Sequence, residues 1–390
     1  MSLDRSEQDS PIIGIWAAPR AVFREAAEAL HDGLQSCGVA VRLLQDIPDG
    51  RSDVAACVIV GRGTDLDEQA VQRWARVGRN RPVLLWQLEA LPHPQLPPHL
   101  ERLGESVECP DWPFFWSGSA SAVAGRRPLR GELQRVARRC LAFRYERQLA
   151  RFLRHGPLRL DRNDVAFLHG QARWLRKHAC PRTGWVRAVA CSTESRLAYL
   201  RRCEIDAFLL PVPSSRMWGT MPKGPPDKQR DIDLLLLGRF RSRARHRLAR
   251  RVKQFVRSRS GVVVEVVEGC HGAARTALLQ RSRIVLQLPA VPWDCPAIRL
   301  LAAIQCGALV VSTPAAPSSR WVAGRHFVEA SEADLVGVVG RWLDDEPARR
   351  AFAQRALAHL ARTEEGPTAT ARRLIEQLIG WMPRPASLVA

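Results

Sequence analysis

The feature that most constrains this chain is a pattern it runs through twice. Short apolar runs alternate with amphipathic stretches long enough to be helices. In the first half the runs at residues 12–16, 39–44, 55–60 and 83–87 read as strands. Between them, 22–35 places Phe23, Ala27, Leu30 and Leu34 on one helical face, and 67–77 is also helical. Strands joined through helices pair in parallel, because a parallel connection must cross over the sheet. Alternation resumes with apolar runs at 165–168, 186–191 and 208–210 and a helix at 194–202. A proline-, glycine- and polar-rich segment, PVPSSRMWGTMPKGPPDKQR, then breaks the pattern. Beyond it the strands restart at 232–237, 262–267, 284–288 and 309–312, with helices at 248–256, 273–280, 298–305, 335–343 and 347–359. The expected architecture is α/β: two Rossmann-like, doubly wound parallel-sheet domains facing a cleft. The expected division is a first domain at 1–212, a linker at 213–230 and a second domain at 231–370. A C-terminal helix within 371–390 packs back on the first domain.

The 390 residues suffice for two domains with real cores. No apolar run approaches the ~18–20 residues that span a bilayer. The opening MSLDRSEQDSP has no apolar core of the secretory kind, so a cytoplasmic location is expected. Ten scattered cysteines without a CxxC pair read as buried reduced thiols. The formal charge is +20, yet only four of the 59 basic residues are lysine, a bias that a GC-rich genome imposes by itself. With no basic tail and no recognisable motif, nucleic acid is not the expected partner. Attraction to an anionic substrate or to an acidic membrane surface, peripherally on its inner face, fits better. In the long helix expected at 129–154, Arg144, Arg147, Arg151 and Arg154 share a face, which reads as solvated or as lipid-binding.

Ligands of open parallel sheets bind at the carboxyl ends of the strands. Three such ends in the second half carry suitable groups. Gly238 and Arg239 follow the run DLLLL, with Arg243 and Arg245 close behind. Glycine admits a ligand to the backbone and arginine pairs with phosphate. Gly269, His271 and Gly272 follow VVVEVV and could admit a flat ring or a diphosphate. In DCPAIRLLAAIQCGALVVS, Asp294 or Cys295 caps a helix that starts at Pro296, Ala297 and Ile298 and ends at Gly307. The free N–H groups of that helix start would hold a diphosphate without a metal. On the acceptor side, His169 follows DVAFL, read as a strand, and is a candidate base or acceptor contact. Glu89 lies just beyond the strand VLLWQ and faces the same kind of crevice.

The stretch 233–343 resembles the nucleotide-sugar domain of group 1 GT-B glycosyltransferases. The resemblance rests on DIDLLLLGR, SRIVLQL, DCPAIRLLAAIQCGALVVS and GRHFVEASEADLVGVVGRWLDDEPARR. Members carry a Glu-x7-Glu element; its first acid falls here on Asp294 and its second on Ala302, followed by Ala303, Cys306, Gly307, Val310 and Val311. The resemblance implies transfer of a sugar, hexose in type, from a nucleotide diphosphate donor to a cell-envelope glycan, a lipid-linked glycan or a small-molecule acceptor. It also implies retention of configuration, no cofactor and no metal; the D-I-D at 231–233 is set aside because Asp233 opens a strand. Arg239 and His169 are the catalytic candidates. Gly238, Arg239, Arg243, Arg245, Gly269, His271, Asp294, Pro296, Ala297 and Ile298 are the donor-binding candidates. The loss of the second acid at Ala302 motivates the alternative of a catalytically inactive, GT-B-like binding or partner protein. A Rossmann enzyme of another kind is disfavoured, because Gly14-Ile15-Trp16 lacks the G-x-G-x-x-G loop.

Overall fold

The computed structural model describes residues 11–48, 52–107, 128–153, 160, 162–221, 230–238, 243–295, 297–316, 318–362 and 366–381; at 128–138, 162, 243 and 244 it describes backbone alone. The first half contains β1 (Ile12–Ala17), α1 (Ala21–Ser36), β2 (Val41–Leu44), β3 (Val54–Gly61), α2 (Glu68–Asn80) and β4 (Val83–Gln87). It continues with α3 (Pro98–Ser106), α4 (Pro128–Phe152), α5 (Arg162–His178), β5 (Ala188–Cys191), α6 (Glu194–Arg202) and β6 (Ala207–Leu209). All its strand pairs are parallel, in the order β2-β1-β3-β4-β5-β6.

The second half contains β7 (Ile232–Leu237), α7 (Arg243–Arg257), β8 (Val264–Val267), α8 (Gly272–Arg281), β9 (Ser282–Gln287) and α9 (Ala297–Gln305). Then come β10 (Leu309–Ser312), β11 (Val328–Glu329), α10 (Leu335–Asp344), α11 (Glu346–Arg362) and α12 (Pro367–Ile379). This sheet is also parallel, in the order β8-β7-β9-β10-β11. Strand β7 is buried at all six positions, which is why it reads as an unbroken apolar run. In each sheet the winding direction reverses once, between β1 and β3 and between β7 and β9. Those reversals open crevices at the carboxyl ends of the strands.

An apolar core runs without interruption from one sheet to the other, including Ile15, Trp86, Trp218, Leu235 and Leu301. Trp218 belongs to the segment expected as a linker. It is fully buried, and its indole N–H donates to Pro213 O at 2.8 Å. Helix α12 returns to the first half. Leu374 and Leu378 enter the shared core, and Thr370 Oγ1 donates to Pro211 O at 3.4 Å. Among the described residues no helix is long and apolar enough to cross a membrane.

Three local readings need correction. Residues 165–168 are part of helix α5, not a strand. Val165, Leu168, Ala172 and Leu175 are buried at spacings of three and four, and that helical face outweighs the short apolar run. Helix α3, with a proline in its first turn, has no counterpart among the elements expected from the sequence. The short strand β11 carried no apolar run long enough to announce it.

Candidate active site

The two crevices face each other, and each supplies charged groups from the ends of its strands. From the first half, β1 leads to Arg20, β3 to Arg62 and Asp65, and β4 to Glu89. Arg62 Nε donates to Asp65 Oδ2 at 2.9 Å, and Arg20 Nε stands 3.1 Å from the same oxygen. Arg20 also lies 4.0 Å from Glu89 Oε1. Burial raises the Glu89 carboxyl above the ordinary glutamate range, against the opposing pull of Arg62, Arg196 and Arg299. Glu89 therefore sits where guanidinium groups of both halves converge.

From the second half, the end of β7 and helix α9 meet at one point. Gly238 has φ +119°, and a Cβ there would lie 2.9 Å from Arg299 Nη1. The backbone conformation favours glycine here, and a Cβ would push aside the flexible end of Arg299. Arg299 reaches back to Leu237 O at 3.5 Å, a long contact for a charged donor. Burial and the charge of Arg245 lower its pKa to about 10, with Glu89 pulling the other way. Arg245 stands 3.3 Å from Asp164 of α5, so it too spans the cleft. The charge of Arg245 therefore acts on Arg299 at the mouth of β7, while Arg245 is itself paired across the cleft.

Asp294 stands differently. Arg196 of α6 grips it with both prongs, Nε to Oδ1 at 3.0 Å and Nη2 to Oδ2 at 2.7 Å, while Thr193 Oγ1 donates to Oδ1 at 3.1 Å. Asp294 is 6% exposed and Arg196 is 4% exposed. The Asp294 carboxylate is thus held by the opposite half. Beside this pair opens a groove of about 430 Å³, lined by His93, Leu153 and Ser195 of the first half and by Pro292 and Trp293 of the second.

The other expected residues are distributed as follows. Ala297 is buried and Ile298 half-buried at the start of α9; Pro296 lies outside the described residues. Arg239 lies outside them as well, and of Arg243 only the backbone is described. Gly269 and His271 are exposed, and the start of α8 is already occupied by the first half. Gly272 N donates to Glu25 Oε1 and Arg275 Nη1 to Glu25 Oε2, both at 2.6 Å. His169 follows no strand. It is fully buried inside α5, 3.0 Å from Tyr145 Oη, and burial lowers its pKa to about 3, so it is a neutral group packed away from solvent. Ala302 is buried in the core of α9.

Sequence reasoning passed over Arg299, Arg196, Arg62 and Arg20. Arg299 had a signal: it is the one charge in the otherwise apolar or neutral AIRLLAAIQ, and a charge on a helix that buries most of its surface needs a partner or a ligand.

Residues 263–379 match the family model for glycosyl transferase-like proteins. Over nearly the whole chain the structure is similar to that of Anabaena HepE solved with UDP and glucose. The match has a TM-score of 0.50 and 10% identity, covering 94% of this chain and 99% of that one. The chain has the GT-B fold. T4 phage BGT, solved with UDP and Mn2+, matches at a TM-score of 0.48 and 10% identity, over 94% of this chain and 99% of that one. TarM matches at 0.42 and 11% identity over 54% of this chain, which spans only 46% of TarM's length. A comparison with curated proteins returned no match. The glycosyl transferase-like match covers the part of the GT-B fold that runs from β8 through α12.

Proposed function

We propose that this chain transfers a sugar, hexose in type, from a nucleotide diphosphate donor to an acceptor hydroxyl presented by the first half. The observation that carries the reading is Arg299, set against Gly238 at the end of β7 with the charge of Arg245 acting on it. Arg245 is already paired with Asp164, whereas Arg299 is a cation disfavoured by burial, and an anion beside it would stabilise its charge. A diphosphate placed against Gly238 would meet both of them together with the N–H groups that begin α9. HepE, similar in fold, was solved with UDP, so UDP is the first nucleotide to test.

In this arrangement the difficult event is departure of the diphosphate from the anomeric carbon. Fixed positive charge at the oxygens that gain charge lowers that barrier. The donor residues are Gly238, Arg245, Arg299 and the start of α9, with Arg239 and Arg243 as further candidates. Glu89 accepts a hydrogen bond from the acceptor hydroxyl and orients it. With retention, which the group 1 resemblance implies, the departing diphosphate lies on the face the hydroxyl enters and takes its proton. The mechanism draws on arginine and backbone groups rather than on a metal. The acceptor is a glycan, a lipid-linked glycan or a small molecule.

A screen of UDP, ADP, GDP and their sugars for thermal stabilisation tests the reading, because a ligand at a hundred times its Kd stabilises by about 2.7 kcal/mol. No shift with any nucleotide would defeat it. Stabilisation without transfer to any acceptor would favour the second reading, a nucleotide-binding GT-B protein without turnover. Ala302, buried where the family places an acid, is the observation on that side.

A further inference from the structure

Helix α4 carries a face that the cleft does not use. Phe143, Arg147 and Arg151 follow one another at i, i+4, with Arg144 and Gln148 alongside, so the five side chains form one strip. They line a shallow depression of about 220 Å³ on the helix surface. Phe143 is 64% exposed and Phe152, at the end of the helix, 37%. Arg139, Arg144, Arg147 and Arg151 are all exposed, and among the described residues no carboxylate is paired with Arg144, Arg147 or Arg151. Between 139 and 153 the one acid is Glu146, which is half-buried. The opposite face, with Ala142, Tyr145 and Leu149, is packed against α3 and α5 in a core of its own.

We propose that this face of α4 docks on an anionic lipid surface. Guanidinium groups alone would suit any polyanion. The exposed phenyl ring set among them distinguishes lipid, because it can enter the headgroup–acyl boundary while the arginines meet phosphates. Helix α7 provides the contrast. It is as basic, with Arg247, Arg250 and Arg251 exposed, but it exposes no large apolar side chain. The docked helix ends at Phe152 and Leu153, and Leu153 lines the groove beside Asp294. An acceptor carried by the lipid would then arrive at the mouth of the cleft; that last step rests on the function proposed above, whereas the docking does not.

The test is co-sedimentation of the full chain, without nucleotide, with phosphatidylcholine vesicles and with vesicles of phosphatidylcholine mixed with phosphatidylglycerol. Binding is expected on the mixed vesicles and should weaken as salt is raised. Arg144→Ser/Arg147→Ser/Arg151→Ser should weaken it about a hundredfold, at roughly 1 kcal/mol per surface arginine. Phe143→Ser alone should weaken it several-fold. All four positions are exposed, so circular dichroism should show unchanged folding. The control Arg247→Ser/Arg250→Ser/Arg251→Ser removes equal charge from α7 and should cost much less. Equal losses from the two triple variants would mean diffuse attraction by net charge and would overturn the proposal. So would binding to phosphatidylcholine alone as strong as to the mixture, or tighter binding of the α4 arginines to a duplex DNA or single-stranded RNA probe than to the mixed vesicles. Because the readout needs neither nucleotide nor turnover, its failure is separable from failure of the transferase reading.

Discussion

Two kinds of charge cluster join the halves of this molecule, and they differ in how completely they are bonded. At Glu25–Arg275 and Asp294–Arg196, each carboxylate oxygen accepts at least one hydrogen bond, and the residues are almost wholly buried. At Arg299 and Glu89, by contrast, the hydrogen bond that Arg299 makes is long, and burial disfavours the ionised form of both groups. The first kind fixes how the halves meet. The second has electrostatic free energy to release when a ligand arrives. A charge cluster therefore marks a site by what its members lack, rather than by how many there are.

The largest effect that could break this comparison is expected at the bonded clusters. Arg196→Ala leaves Asp294 buried without its cation and should lower stability by about 3–5 kcal/mol in chemical denaturation. Replacing both partners by apolar residues of similar volume should recover much of that loss. If Arg196→Ala is as stable as the parent, the bonded cluster is not structural and the contrast collapses. Next in size is Arg299→Ala. UDP affinity by calorimetry should fall by about 1.5–3 kcal/mol, the scale of a hydrogen bond to a charged group, while denaturation changes little. Arg299→Lys should recover only part, because an ammonium lacks the planar fork. A variant that loses stability but not UDP affinity would move Arg299 into the structural class.

The titrations sharpen the same contrast. Arg299 is cationic below its depressed pKa of about 10, so nucleotide affinity should hold from neutral pH and fall as pH rises through that value. Glu89 accepts the acceptor's hydrogen bond most strongly as a carboxylate, and burial raises its carboxyl. Activity should therefore be lost, as pH falls, before an ordinary glutamate would protonate. The acid limb of kcat/KM reports this, and Glu89→Gln, which keeps an acceptor oxygen without a titrating proton, should abolish that limb while lowering activity about tenfold, the scale of exchanging a charged for a neutral acceptor.

The sheets were legible because parallel strands buried on both faces leave unbroken apolar runs, as at β4, β7 and β10. Gly307 ends α9 with φ +73°, as its position after a capped apolar helix implied. Helix α5 was obscured because VAFL resembles a buried strand when its four residues are read without the later apolar positions. Arg196 could not be assigned from sequence at all: its partner lies 98 residues away, and only the closure of two domains brings them together. For Asp294 the reading had the right position and an incomplete environment, since nothing local announces Arg196 and Thr193.

The smallest expected effect concerns the loop from Gly269 to Gly272, which sequence alone offered as a weaker candidate beside the β7 end. In the structure His271 is exposed and makes no capping bond, and the N–H of Gly272 is directed at Glu25. A helix start that already holds a carboxylate has lost the unsatisfied donors that would draw a phosphate. His271→Ala should therefore change UDP affinity by no more than about 0.5 kcal/mol, the range of an ordinary surface substitution. Measured beside Arg299→Ala in the same calorimeter, the pair gives the comparison its finest resolution. A tenfold loss at His271 would mean that the loop turns toward the nucleotide, and would require Glu25 to leave the start of α8 when donor binds.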